Sequence, residues 1–206
     1  LLSGEYDALR AHVGAKAAEI DCTFACGDGG ETLRAAMTRV REEAEDAVRR
    51  GAVHLFLSDE RMGAERAPVP TILAAGGVHM HLVEQGLRGF ASLNVRSAEC
   101  LDVHYFAVLI GVGATTIDAY LAQEVIADRR GRGLFGDLDL DSCFARYREA
   151  VNAGILKVMS KMGIAVLSSY RGGYNFEAVG LSRAMVDEFF PGMASRISGI
   201  GLPGIE

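Results

Sequence analysis

Ser168, Ser169, Tyr170 and Arg171, followed by the pair Gly172-Gly173, form the densest run of polar groups able to do chemistry in this 206-residue chain. The planar fork of an arginine suits a phosphate or carboxylate, and adjacent glycines let a backbone approach a ligand closely. Ser169, Tyr170 and Arg171 are therefore candidates for an anion or partner contact. A short apolar run, Ile164 to Ser168, reads as a buried strand, which would put them at the carboxyl end of a sheet, where α/β folds place binding groups. The competing reading, preferred for an isolated segment, is a structural loop held by an internal arginine hydrogen-bond network. Lys157 and Lys161, at i,i+4 on one helix face, are further candidates, facing an acidic partner surface or water.

Other arrangements carry less. Gly199-Ile200-Gly201-Leu202-Pro203-Gly204 matches a dinucleotide fingerprint in letters only, because the motif needs a following helix and Pro203 opposes a clean one. His79 and His81, two apart on a predicted helix, point about 200° apart and cannot share a metal. His104, in an apolar helix, is expected to make a core or interface hydrogen bond. Cys22 and Cys26, about 13 Å apart along a strand, cannot share one tetrahedral ion. With Cys100 and Cys143 they read as buried, reduced thiols. No GxSxG elbow supports a serine triad. Asp59, at a strand terminus, is expected to cap or to pair with Arg61 or Arg66.

The elements that must position these groups alternate. Strands are predicted at Ile20 to Cys26, Val53 to Leu57, Ala91 to Val95, Thr115 to Ile117 and Ile164 to Ser168. A helix follows Asp28, which with Glu31 forms a capping box. It sets Leu33, Met37, Val40, Ala44 and Val48 on one face, with Glu45-Arg49 and Asp46-Arg50 pairs on the other, and Gly51 closes it. Further helices are predicted at Val69 to Leu87, Cys100 to Ile110, Leu121 to Arg129 and Asp141 to Met162, the last split near Gly154 and ended by Gly163. Repeated βα units imply an α/β fold with parallel strands. Five strands are too few for a closed eight-stranded barrel, so the expected architecture is a partial or degenerate barrel, or an open sheet. Exposed edges would then let the segment self-associate.

Composition narrows the function. Half the residues are hydrophobic and the formal net charge is −6, against disorder and against a general nucleic-acid footprint. The longest apolar run, Tyr105 to Ala114, is about half of the roughly 20 residues a membrane span needs. Leu1-Leu2 is followed at once by Glu5 and Asp7, unlike a signal peptide. The expectation is a single segment, residues 1–206, of a longer cytoplasmic protein.

The run Gly154 to Leu181 closely resembles the end of the glutamate synthase central domain. Leu57-Ser58-Asp59, Ala67-Pro68-Val69-Pro70, Gly77-Val78-His79, Ser92-Leu93-Asn94-Val95, Val103 to Ala114 and Ser195 to Leu202 carry the same resemblance, weakest before Leu55. It implies a barrel-like domain in an enzyme that converts glutamine and 2-oxoglutarate into two glutamates with external reductant. In that family an N-terminal cysteine hydrolyses glutamine, ammonia crosses a tunnel, and a flavin-bearing barrel reduces 2-iminoglutarate with FMN and a 3Fe-4S cluster. Residue 1 is Leu, so that nucleophile is absent, and the cluster's closely spaced cysteine triplet is missing. The resemblance therefore implies a scaffold holding no cofactor and no catalytic residue. Its partners would be the amidotransferase and FMN domains and, for the parent, a small electron-donating subunit or ferredoxin. The alternatives are a stand-alone βα or flavin-binding enzyme with an anion site near Arg171, and an oligomerisation module using the Cys100 to Ile110 helix and the Lys157/Lys161 face.

Overall fold

The computed structural model describes residues 1–26 and 30–206. Helix α1 (Ser3–Val13) precedes strand β1 (Ala17–Asp21), and the chain then alternates. Short β2 (Thr23–Ala25) leads to α2 (Glu31–Arg49), β3 (His54–Ser58), short β4 (Arg66–Pro68) and α3 (Thr71–Glu84). Next come β5 (Ser92–Arg96), α4 (Val103–Gly111), β6 (Thr116–Asp118), α5 (Tyr120–Gly131) and the long α6 (Leu140–Met162). One helical turn, α7 (Leu167–Tyr170), precedes β7 (Glu177–Leu181), α8 (Arg183–Phe189), β8 (Ala194–Ile200) and α9 (Leu202–Ile205).

Strands β1, β3, β5 and β6 form one parallel sheet in that order. The sheet therefore grows in one direction. With right-handed crossovers, each intervening helix lands on the same face. A doubly wound fold would reverse its strand order part-way. This is the winding of a barrel, left open: among the described residues the four strands do not close.

Alternation along each strand makes the two faces opposite in character. One row, Ile20, Leu57, Val95 and Ile117, lies in register and belongs to the main hydrophobic core. Leu33, Met37, Val40, Ala44 and Val48 of α2 cover this face, as their helical spacing predicts. Helix α2 packs on α3 and α3 on α4. His81 Nε2 meets Glu45 Oε2 at 2.6 Å, tying the first pair together. Gly76 and Gly77 bring α3 close to the chain after it: a Cβ at Gly76 would lie 2.3 Å from Phe190 Cε1. The opposite face is polar. One row runs Asp21, Ser58, Arg96, Asp118, and the next Glu19, Phe56, Asn94, Thr116.

Several expectations need correction. Ile164 to Ser168 is not a fifth strand. The run leaves α6 as extended chain and enters α7, with Val166 60% and Leu167 42% exposed. A short apolar run has no periodicity to separate a strand from a surface turn. The strand foreseen from Ile20 to Cys26 breaks at Cys22: β1 joins the parallel sheet, whereas β2 pairs antiparallel with β4. Helix α6 is unbroken at Gly154, where a Cβ would come 2.5 Å from Val103, so that glycine serves close packing against α4. Gly163 ends α6 in the left-handed conformation, φ 71°, as foreseen. The Asp28 cap lies outside the described residues. Helix α2 starts at Glu31 after Gly30, and its Glu45-Arg49 and Asp46-Arg50 pairs are present.

Candidate functional site

At the carboxyl ends of β3, β5 and β6 the polar face gathers ionisable groups that the sequence motifs did not single out. Arg96, last in β5, is their hub. Its guanidinium meets Asp7 Oδ1 at 2.6 Å, Asp118 Oδ2 at 3.2 Å and Glu60 Oε1 at 3.4 Å. It also lies over the rings of Tyr6 and Tyr120, 5.4 and 5.9 Å from their centroids. Burial opposes the charge on Arg96, but Asp7, Glu60 and Asp118 outweigh it and hold the pKa above the ordinary guanidinium value.

Helix α1 closes this end. Tyr6 packs edge-on against Phe56 and its hydroxyl donates to the Asn94 carbonyl at 3.3 Å. Ser3 Oγ donates to Asp118 Oδ1 at 3.0 Å, and Arg10 pairs with Glu19. Asp118 is fully buried and also accepts from Gln123 Nε2 at 2.7 Å. Burial raises its pKa, with Ser3, Gln123 and Arg96 pulling the other way. Its Oδ2 and the Arg96 Nε approach without hydrogen-bond alignment, so charge alone joins them.

Asp59 does not pair with Arg61 or Arg66. Both arginines reach Asp21 instead, at 3.7 and 3.1 Å. Asp59 is 2% exposed, accepts from the Ala98 N–H at 2.8 Å through Oδ2, and leaves Oδ1 unpaired. Burial raises its pKa, against the pull of that hydrogen bond and of Tyr120. A carboxyl whose folded pKa is raised contributes stability below its unfolded value, and loses it as pH climbs through the folded value. Asp59→Asn keeps the Ala98 acceptor and removes the buried charge. It should therefore raise the melting temperature at pH 7, with the gain closing as pH falls toward the ordinary aspartate value of 3.8, measured by thermal unfolding across pH.

The residues singled out from sequence do not come together. Tyr170 is buried and its hydroxyl donates to the Ala107 carbonyl at 3.0 Å, a structural anchor. Ser169 is exposed on α7, and Lys157 and Lys161 are exposed on α6. Arg171 alone turns into a cavity, shared with Arg88, His79, Ser92 and Thr115. Ser92 and Thr115 sit at the amino ends of β5 and β6, so this is the end of the sheet opposite to the one expected. His104 is exposed rather than in the core.

Among the described residues no three His, Cys, Asp or Glu stand together as ligands. Cys22, Cys100 and Cys143 are buried and unpaired, and burial pushes the Cys22 thiol up to about 12. Cys26, expected to be buried, is exposed. An iron–sulfur cluster needs adjacent thiolates, so these residues do not hold one. Among the described residues no helix is long and apolar enough to cross a membrane.

Residues 1–182 match the model of the glutamate synthase central domain. The chain is 62% identical over its whole length to the glutamate synthase [NADPH] large chain of Azospirillum brasilense, of which it covers 14%. It is 39% identical over 194 residues to the corresponding large chain of Bacillus subtilis, covering 94% of this chain and 12% of that one. It is also 41% identical over 180 residues to ferredoxin-dependent glutamate synthase 1 of Arabidopsis thaliana, covering 82% and 11%. The chain thus spans only 11–14% of the length of these three relatives. A one-directional parallel winding, capped at its carboxyl end and matched over residues 1–182, places this chain in the glutamate synthase central domain family.

Proposed function

We propose that the chain is a non-catalytic scaffold segment of a glutamate synthase, the enzyme that makes two glutamates from glutamine, 2-oxoglutarate and reductant. The observation that carries this reading is the closed carboxyl end of the sheet. Enzymes wound this way keep their reacting groups there. Here Arg96 and Asp118 are engaged with each other and with α1, and Asp59 is buried. The segment would hold the amidotransferase and FMN domains apart and support the ammonia path between them. FMN and the 3Fe-4S cluster would belong to the rest of the parent, which would assimilate ammonia in the cytoplasm. Identity to a relative named for NADPH favours NADPH, delivered through a small electron-donating subunit, over ferredoxin.

Surfaces suited to neighbouring domains support the reading. A cavity of about 590 Å³ lies between α4, β6 and α6, lined by Phe106, Ile110, Ile155, Met159 and Leu167. Leu156 and Val166 beside it are 65% and 60% exposed. Strands β7 and β8 form a two-stranded parallel pair that exposes Val179, Ile197 and Ile200. Apolar patches of this kind mark interaction surfaces. In isolation, copies of the chain would associate through the same patches.

The test is titration of the purified chain with FMN, read by flavin fluorescence. The expected result is no saturable change. Stoichiometric flavin binding would instead make the chain a flavoprotein in its own right.

A further inference from the structure

The cavity at the amino end of the sheet has an unbalanced charge. It occupies about 390 Å³ and is lined by His79, Arg88, Ser92, Thr115 and Arg171 among others, with no carboxylate among the described lining residues. Arg88 is clamped in place. Its Nε donates to His79 Nδ1 at 2.8 Å, one terminal nitrogen donates to the Gly113 carbonyl at 2.8 Å, and the other to the Ala91 carbonyl. These bonds use three of its five N–H groups. Neutral acceptors hold the guanidinium without cancelling its charge.

Arg171 arrives from the other side. Its loop is pinned to the end of α4, where Gly172 N–H donates to the Ile110 carbonyl and Tyr174 N–H to the Gly111 carbonyl, both at 3.2 Å. The backbone is thereby fixed, and the Arg171 side chain makes no hydrogen bond or ion pair among the described residues. Elsewhere paired arginines converge on a carboxylate: Arg34 and Arg41 on Glu188, Arg61 and Arg66 on Asp21. Here two guanidiniums share a half-buried cavity unmatched. Burial and the neighbouring Arg171 pull Arg88 below the ordinary guanidinium value. Burial and Arg88 bring His79 down to about 4, so its ring is neutral near pH 7 and can keep accepting from Arg88.

We propose that Arg88 and Arg171 form a binding site for a small oxyanion of the phosphate or carboxylate type. Arg88 supplies two pre-placed N–H groups, and Arg171 closes over the anion with its free fork. Such charge-assisted, bidentate bonds are the strong ones, and guanidinium geometry matches these anions. The anion is either a free small molecule or a carboxylate side chain from elsewhere in the longer protein.

The test is thermal unfolding of the purified chain with rising phosphate, and separately succinate, at constant ionic strength. An anion that binds only the folded state raises the melting temperature by about 3–5 °C at ten times its dissociation constant. Arg171→Ala should abolish that rise. Arg171→Glu should raise the melting temperature without added anion and remove the response, since it places a carboxylate in the site. A parallel readout needs no melting transition: the Arg88 Nε–Hε resonance should shift saturably with phosphate in the wild-type chain and not in Arg171→Ala. A flat response, or an equal one in wild type and Arg171→Ala, overturns the proposal. The source is read in the longer protein, an arm that rests on the scaffold reading. A retained phosphate response there identifies a free anion, and a response present only in the isolated chain identifies an internal carboxylate. Both outcomes uphold the site.

Discussion

Arg96→Ala should cost the fold about 3–5 kcal/mol, the usual penalty for removing one partner of a buried ion pair. The cost comes from what stays behind. Asp118 is fully buried, and its Oδ2 loses the guanidinium beside it. Asp7 and Glu60 lose their shared partner too, although both are exposed and contribute little. Packing adds to the loss, because Arg96 lies between the rings of Tyr6 and Tyr120. Denaturant unfolding measures the loss. The double variant Arg96→Met/Asp118→Asn should recover most of it, since it removes both charges and keeps the volume. A small loss in the single variant, or no recovery in the double, would mean that charge does not hold this end of the sheet.

Gly113→Ala should be as damaging for a different reason, at about 2–5 kcal/mol when left-handed strain and overpacking add. Gly113 has φ 118°, a conformation that L side chains rarely adopt, and a Cβ there would come 2.3 Å from His79 Nδ1 and 2.5 Å from its Cγ. His79 cannot easily yield, because Arg88 holds that same nitrogen. The substitution should therefore lower the melting temperature and also dislodge Arg88 from the Gly113 carbonyl. Thermal unfolding reads the first effect, and the Arg88 Nε–Hε resonance reads the second. A variant that melts like wild type would show that the turn after α4 has room to move.

The apolar half of this fold was legible because it is periodic. Leu33, Met37, Val40, Ala44 and Val48 repeat at helical spacing, and four of the five predicted strands join as βα units would require. The polar half was not singled out, because its partners lie far apart in sequence: Arg96 meets Asp7 across 89 positions and Ser3 meets Asp118 across 115. A signal was present even so. Asn94 and Arg96 alternate with Leu93 and Val95, and Thr116 and Asp118 flank Ile117, which marks one sheet face as polar. Arg171 was picked out for its chemistry and put at the wrong end of the sheet. That error followed from reading Ile164 to Ser168 as a strand, when Ala165 and Leu167 line the cavity beside β6 and Val166 is in the open. Tyr170 looked like part of a site because a hydroxyl beside an arginine does, and only the structure shows it spent on the Ala107 carbonyl.

The lid that α1 forms over the sheet also orders events in time. A ribosome releases Ser3–Val13 before any strand of this sheet, yet Asp118 and Gln123, to which Ser3 bonds, emerge more than a hundred residues later. Until β6 has joined β5, this helix has nowhere to dock, and an isolated 11-residue helix is only marginally stable in water. Its contacts are the costliest in loop closure and so form late. The polar face stays wet while the sheet is assembled and is sealed at the end, so its charges meet their partners before they lose their water.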